Sequence, residues 1–166
     1  MAFEPPEQLT CYEFLERLSG GVSQPPLVIA GASEDDRKKV VIKVRQPDCG
    51  AENNQGATSL ACEFVVSAIG KGLGLPVPDF FVVDIPFSLA LAIPDDQIAA
   101  LFSQNSGPNF GCEYVPGFAE WNSNILGVKP SFRELLGFVL AFDSLVVNCD
   151  RRVEKPNLLY RGDEIL

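Results

Sequence analysis

The chain has 166 residues, about one domain's worth and long enough to bury a real core. Hydrophobic residues make up 46% and charged residues 21% of it, as in an ordinary soluble globular protein. The formal net charge of −9 argues against a nucleic-acid or anionic-membrane partner, because such partners need a positive field.

The cysteines and the N-terminus further limit the kinds of functional site and the cellular location that the sequence allows. The chain has five cysteines without a CxxC pair and no histidine, which excludes a His-based triad and makes a zinc site improbable. "MAFEPPEQLT" lacks the basic start and apolar stretch of a secretory signal, and no apolar run approaches the roughly 20 residues that span a bilayer. These features predict reduced thiols in the cytoplasm and no membrane segment.

The sequence of the first half of the chain predicts mainly strands. Residues 11–18 are ambiguous between a helix and an edge strand, whereas "PPLVIAG" and residues 40–45 favour strands, the latter through β-branched residues around Lys43. A polar loop follows at 46–58. Helical spacing of apolar residues then predicts a helix over 59–70, ended by the glycines at 70, 72 and 74.

The second half adds two strands and two helices. "LPVPDFFVVDIP" indicates a strand, and residues 110–118 indicate a strand that runs into a turn. "PDDQIAALFSQ" indicates a short helix with Asp95 and Asp96 near its start. Residues 132–147 form a helix that is apolar over more than half its circumference. "NLLYRGDEIL" predicts a strand, a turn and the beginning of another strand. We therefore expect an α+β fold, rich in strands first and helical later.

Lys43 and Glu63 are the first candidates for chemistry. A lysine within a β-branched strand is either an exposed edge residue or an ammonium held to meet a phosphate. Glu63 interrupts an apolar helix, so it is either a solvated flank or the carboxylate that fixes the lysine.

The turn "LSGGVSQ" (18–24) is a weaker signal. Glycine permits close approach of backbone amides to an anion, but the turn matches neither common phosphate-binding motif. A plain hairpin turn therefore stays open as the alternative.

The stretch "FDSLVVNCDRRVEKPNLL" (142–159) places charges directly after an apolar helix. Asp143 and Asp150 lie seven residues apart, on one face if the helix persists. Asp150 could accept a proton from a hydroxyl, Asn157 could offer an oxygen to Mg²⁺, and Arg151 or Arg152 could neutralise a carboxylate or a phosphate. The alternative is a surface ion-pair cluster at the helix exit.

The order of these elements resembles the HipA-like kinases, whose fold is protein-kinase-like. The matching segments cover nearly the whole chain: "LSGGVSQPPLV", "VVIKV", "CEFVVSAIGKGLGLPVPDF", "FGCEYVPG" and "AFDSLVVNCDRRVEKPNLL". The resemblance implies an antiparallel-sheet N-lobe with one main helix over residues 1–117, and the start of a helical C-lobe over 118–166.

The resemblance also implies ATP-dependent transfer of phosphate to a Ser or Thr of a protein, with Mg²⁺. Lys43 and Glu63 would be catalytic together with Asp150. The nucleotide-binding residues implied are Gly20, Gly21, Ser23, Lys43, Glu113, Tyr114 and Val115. Asn157 would lie beside the metal, and the residues implied to shape the catalytic loop are Asp143, Asn148 and Arg151.

Two departures from the family pattern qualify this expectation. Kinase loops place a metal-binding Asn five residues after the catalytic Asp, and that position here is Lys155. The family also continues to a second metal-binding Asp, whereas this chain stops at Leu166. We therefore keep two expectations: an active kinase domain, or a truncated or pseudokinase module that binds nucleotide without transfer. Helix 132–147 is expected to self-associate or to bind a partner chain.

Overall fold

The computed structural model describes residues 5–19, 24–44, 57–121, 130–148, 151, 157–162 and 164–166. The helices within these residues are α1 (Ala57–Gly72), α2 (Phe87–Ala92), α3 (Asp96–Gln104) and α4 (Pro130–Leu145). The strands are β1 (Glu7–Arg17), β2 (Pro26–Gly31), β3 (Arg37–Lys43), β4 (Phe80–Ile85), β5 (Gly107–Glu113), β6 (Ala119–Glu120), β7 (Leu159–Arg161) and β8 (Glu164–Ile165). The mixed α+β content and the strand-rich first part were both predicted from the sequence.

Strands β1 to β5 form one sheet that closes on itself in the order β1-β2-β3-β5-β4. Four of the five pairings are antiparallel, but β1 and β4 pair in parallel through Glu7–Thr10 and Phe81–Asp84. The expectation of an antiparallel sheet is therefore wrong at this pairing. The long strand β1 pairs with β4 through Glu7–Thr10 and with β2 from Thr10 to Arg17. Its pairing with β2 shifts register twice, between Cys11 and Glu13 and between Phe14 and Glu16. Because β1 and β4 pair with each other, the sheet closes and neither of these two strands has an unpaired edge along Glu7–Thr10 and Phe81–Asp84.

The interior of this closed sheet explains why residues 11–17 form a strand and not a helix. Leu9 and Cys11 alternate inward along β1, as a strand with one buried face requires. Helices α2 and α3 add Ala90, Ile98 and the fully buried Phe102 to the same core. The other strand residues of this core are Val28, Ala30, Val40, Ile42, Phe81, Val83 and Ile85.

The start of α3 is fixed by a side-chain cap. Asp95 is the N-cap residue, and its carboxylate accepts hydrogen bonds from the backbone N–H groups of Gln97 (2.9 Å) and Ile98 (3.0 Å). Asp96 lies in the first turn, where a negative charge is favourable. The six-residue α2 was not predicted, because so short an apolar run shows no helical periodicity.

The ends of α1 and α4 differ from the predicted ones. Gly70 and Gly72 lie inside α1, and Gly74, with φ of +80°, ends it. The N–H of Leu75 donates to the carbonyl of Gly70 there, as in a Schellman motif. Helix α4 ends at Leu145, two residues before the predicted end, because Val147 adopts φ of +55°.

Internal contacts divide the chain into two compact units. The first comprises Met1–Val65 and Asp79–Tyr114, and the second comprises Val66–Pro78 and Val115–Leu166. In the second unit, α4 contributes Val139 to an apolar cluster with Leu158 and Ile165, and strands β6, β7 and β8 form a small antiparallel sheet. The division into lobes near residue 117 stays a prediction. Within the described ranges, no helix has both the length and the apolar character needed to cross a membrane.

Candidate functional site

An ion pair joins the end of β3 to α1 in the first unit. The ammonium Nζ of Lys43 donates to Oε1 of Glu63, and about a third of each side chain is exposed. A pair this exposed contributes only about 0–1 kcal/mol to stability because water screens it. What the pair does provide is an ammonium group that is held in one place and still reaches solvent.

Aromatic rings hold the two partners of this ion pair in position. Phe110 of β5 is the cross-strand neighbour of Lys43, and its ring centroid lies 6.0 Å from the lysine Nζ. Phe64, the residue after Glu63, contacts the Phe110 ring edge-on at 4.9 Å, and Phe80 stacks on Phe110 at 6.3 Å. The cluster therefore anchors α1 to the sheet beside the charged pair.

Sequence reasoning missed this aromatic support, because Phe110 and Lys43 are neighbours only through strand register. Adjacency of Phe64 to Glu63 in the helix was the one local signal that could have suggested it.

The charges of Lys43 and Glu63 also affect the pKa of the Cys112 thiol. Burial raises the pKa of its thiol to about 11, Lys43 opposes that rise, and Glu63 adds to it. The thiol is therefore neutral at physiological pH and is a poor nucleophile there.

The three residues expected to bind adenine lie at and after the end of β5. The N–H of Glu113 donates to the carbonyl of Asp79 at 2.8 Å, and the N–H of Tyr114 donates to the carbonyl of Lys39 at 3.1 Å. A ligand could use these two donors only by breaking those hydrogen bonds. Val115 begins the second unit, and the nucleotide-binding role of all three residues stays a prediction.

Gly20, Gly21 and Ser23 lie outside the described residues. The segments that flank them belong to the antiparallel pair β1 and β2, and the N–H of Leu18 donates to the carbonyl of Pro25 at 3.0 Å. Their predicted contact with phosphates stays a prediction.

A second group of polar side chains lies at the exit of α4, in the second unit. The buried carboxylate of Asp143 accepts a hydrogen bond from the side-chain amide of Asn148 at 2.8 Å. Its other oxygen lies 2.5 Å from Nε of Arg151, a contact of charge without hydrogen-bond geometry. Nη1 of Arg151 donates to the backbone carbonyl of Asn157 at 3.0 Å. The structure thus brings together four of the residues that the sequence singled out.

Asp150, Arg152 and Lys155 lie outside the described residues. Because α4 ends at Leu145, the helical face that would have joined Asp143 to position 150 does not persist. Asn157 has φ of +49°, a conformation that Asn tolerates better than most residues.

The donor chemistry fits Mg²⁺ only if a nucleotide supplies oxygens as well. Among the described residues, no three His, Cys, Asp or Glu side chains come together in a metal-binding group. Mg²⁺ is commonly held by one or two protein oxygens, several waters and the phosphates of a substrate. Asn157, the residue expected beside the metal, has that donor type, so it suits a cation that arrives with a nucleotide.

Comparison with protein families identifies the group to which this arrangement belongs. The sequence model described as HipA-like kinase matches residues 13–165, which is most of the chain. Neither the curated proteins nor the solved structures give a significant match. The family match includes Lys43 and Glu63 as well as the polar exit of α4. The chain therefore belongs to the HipA-like kinase family.

Proposed function

We propose that this chain is an ATP-dependent kinase domain of protein-kinase-like fold that phosphorylates a Ser or Thr of a protein substrate. Family membership gives a kinase-like function at the level of the family. The observation that carries the finer proposal is the ion pair of Lys43 with Glu63. In protein kinases a strand lysine paired with a helix glutamate holds the phosphates of ATP.

The charge of Lys43 suits a triphosphate. Glu63 offsets the lysine charge in the free protein and fixes the direction of its side chain, so little side-chain entropy is lost when phosphate binds. Phe110 shields the ammonium from one side, which strengthens its attraction for an anion on the other. Phosphoryl transfer depends mostly on such positioning and charge neutralisation, so the absence of histidine from the chain is no obstacle.

The other predicted site residues have separate roles in the transfer of phosphate from ATP to the acceptor hydroxyl. A P–O bond forms between the acceptor hydroxyl and the γ-phosphorus, the bond to the β-phosphate oxygen breaks, and Asp150 takes the hydroxyl proton. Gly20, Gly21 and Ser23 cover the phosphates, and the backbone of Glu113, Tyr114 and Val115 binds adenine. Asn157 would hold Mg²⁺ beside the nucleotide, and the cation would neutralise charge on the phosphates.

The second candidate function is nucleotide binding without transfer. Lys155 stands where a kinase catalytic loop places its metal-binding Asn, and a lysine cannot ligate Mg²⁺. A chain that keeps Lys43 and Glu63 but lacks this amide would bind ATP and transfer phosphate poorly.

One matched pair of variants tests nucleotide binding. Lys43→Met removes the proposed phosphate ligand. Lys38→Met removes a lysine of the same strand with similar exposure, which pairs with Glu7 at 3.1 Å. ATP with Mg²⁺ should raise the melting temperature of the wild type and of Lys38→Met but not of Lys43→Met. At 100 times Kd a ligand stabilises by about 2.7 kcal/mol. Equal ATP responses in both variants would exclude Lys43 as the phosphate ligand.

A transfer assay separates the two functions. Labelled phosphate from ATP should appear on a protein acceptor with the wild type and disappear with Asp150→Ala. Stabilisation by ATP without incorporation would instead support the binding module.

Self-association through α4 is also part of this proposal. Phe138 and Leu145 lie seven residues apart on one helix face, and both are exposed, as is Leu140. Phe138→Glu should lower the mass measured by light scattering if α4 joins two copies, whereas Ser144→Glu, at an exposed polar site, should not. A monomeric wild type would contradict the proposal. The cytoplasmic location stays a prediction.

A further inference from the structure

A pocket of about 390 Å³ lies within the first unit, between α1 and the start of β5. Leu60, Ala61 and Phe64 line it from α1, and Pro108 and Phe110 line it from β5. Pockets that bind small molecules have volumes of roughly 300–1,000 Å³ and a mainly apolar lining with a few polar groups. This pocket therefore has the size and the apolar character of a small-molecule site.

Two aromatic rings in the pocket lining favour an aromatic ligand. The rings of Phe64 and Phe110 meet edge-on, with centroids 4.9 Å apart and planes at 73°. Aromatic rings attract one another in edge-to-face and offset arrangements, so a ligand ring gains from contact with either phenylalanine. A cavity of about 150 Å³ is enough to hold benzene, so this pocket has room for one ring or two fused rings.

The polar side chains in the described lining are those of Ser106 and Asn109, and both already use their protons. The hydroxyl of Ser106 donates to the backbone carbonyl of Ile85 at 3.1 Å. Nδ2 of Asn109 donates to the backbone carbonyls of Asn105 at 2.7 Å and Gly107 at 2.8 Å. Because two acceptors face this nitrogen, they also settle which end of the amide is the nitrogen and which is the oxygen.

These two side chains therefore offer oxygens, which accept hydrogen bonds. Asn109 is almost fully buried, and its Oδ1 has no hydrogen-bond partner among the described residues. The hydroxyl oxygen of Ser106 can accept as well, and Pro108 has no backbone N–H to donate. No charged residue belongs to the described lining, and a buried charge without a partner is costly. The ligand that suits this pocket is neutral and supplies the hydrogen-bond donor.

We propose that this pocket binds a small neutral aromatic molecule that carries an N–H or O–H donor, such as an indole or a phenol. Seven residues line it, whereas each side of a stable protein interface contributes roughly 20–30, so a small molecule fits it better than a partner protein does. Neither Lys43 nor Glu63 belongs to the described lining, so the site is separate from the proposed phosphate ligand. The proposal does not depend on the kinase function.

Indole is the probe that tests the proposal, and benzofuran, which has nearly the same shape but no N–H, is its matched control. Indole titrated into the isotope-labelled full chain should produce saturable NMR shifts of the backbone amides within 60–64 and 106–110. Benzofuran should bind roughly tenfold more weakly, as expected for the loss of one hydrogen bond. Equal affinities would overturn the role of the donor, and the absence of saturable shifts at these amides would overturn the site.

Two variants test whether indole binds in this pocket. Ala61→Phe adds a ring at an exposed lining residue of α1, so it fills part of the pocket and should weaken indole binding by about tenfold or more. Ala100→Phe adds the same ring at an exposed residue of α3 outside the described lining, and the affinity should stay within about twofold. Unchanged affinity in Ala61→Phe would overturn the assignment. Displacement of indole by ATP with Mg²⁺ would do so too, because the pocket would then be part of the nucleotide site. The ATP competition and the benzofuran comparison use the wild type, so they decide the proposal even where a variant folds poorly.

Discussion

Gly111 of β5 offers a direct test of how tightly the closed sheet is packed. A Cβ atom added at this position would lie 2.5 Å from Cγ2 of Val83 and 2.8 Å from Cγ1 of Val40. Both valines are fully buried and β-branched, so neither can rotate away cheaply. Gly111→Ala should therefore lower the free energy of unfolding by about 1–3 kcal/mol, the usual cost of overpacking a core. For a chain of this size that corresponds to a fall in Tm of about 2–12 °C.

The control is the same glycine-to-alanine substitution at Gly137, where an added methyl group meets no other atom. A Cβ at Gly137, inside α4, would meet nothing within 4 Å. Gly137→Ala should raise the free energy of unfolding by about 0.5–1 kcal/mol, because alanine loses less backbone entropy in a helix. Urea unfolding followed by circular dichroism measures both variants, and the two should shift in opposite directions.

A double variant tests whether contact with Val83 is the reason that Gly111→Ala destabilises the protein. Val83→Ala removes one of the two atoms that would clash, so Gly111→Ala with Val83→Ala should cost about 1 kcal/mol less than the sum of the single changes. Additive costs would mean that Val83 is not the obstacle. A neutral or stabilising Gly111→Ala would refute the packing described for the closed sheet.

Two further predictions concern the first unit. Asp95→Ala should lower the free energy of unfolding by about 1 kcal/mol in urea, because two N–H groups of α3 lose their acceptor. Asp95→Ser should retain most of that stability, and equal losses in both would argue against a cap. As pH rises, the unfolded Cys112 thiol ionises near its ordinary pKa of 9.0 while the folded one does so at about 11. The free energy of unfolding should therefore fall between pH 9 and 11, measured by urea titration at each pH. In Cys112→Ala the fall should be shallower; an identical slope would show that this thiol is not the group responsible.

Local chemistry was sufficient to predict several elements. The β-branched residues beside Lys43 indicated β3, and the aspartates before Gln97 indicated the start of α3. These signals depend only on neighbouring residues along the chain, so they can be recognised without knowledge of the fold. The resemblance that pointed to a HipA-like kinase likewise depended on the order of motifs, and the family match confirms it.

The arrangement of the site depended on contacts between distant segments. Nothing local distinguished Arg151 from Arg152 as the partner of Asp143, since both carry the same charge one residue apart. Nothing local placed Phe110 beside Lys43, since that depends on the register of β3 against β5.

The sequence by itself therefore determined several of the strands and helices, such as β3 and α3, and which side chains could carry charge to a phosphate. Only the tertiary structure decided that β1 pairs in parallel with β4 and that Glu63 reaches the ammonium of Lys43. The physical reason is that periodicity and capping act over a few residues. Strand pairing and ion pairing, by contrast, depend on backbone and side-chain atoms that only folding brings within hydrogen-bond distance.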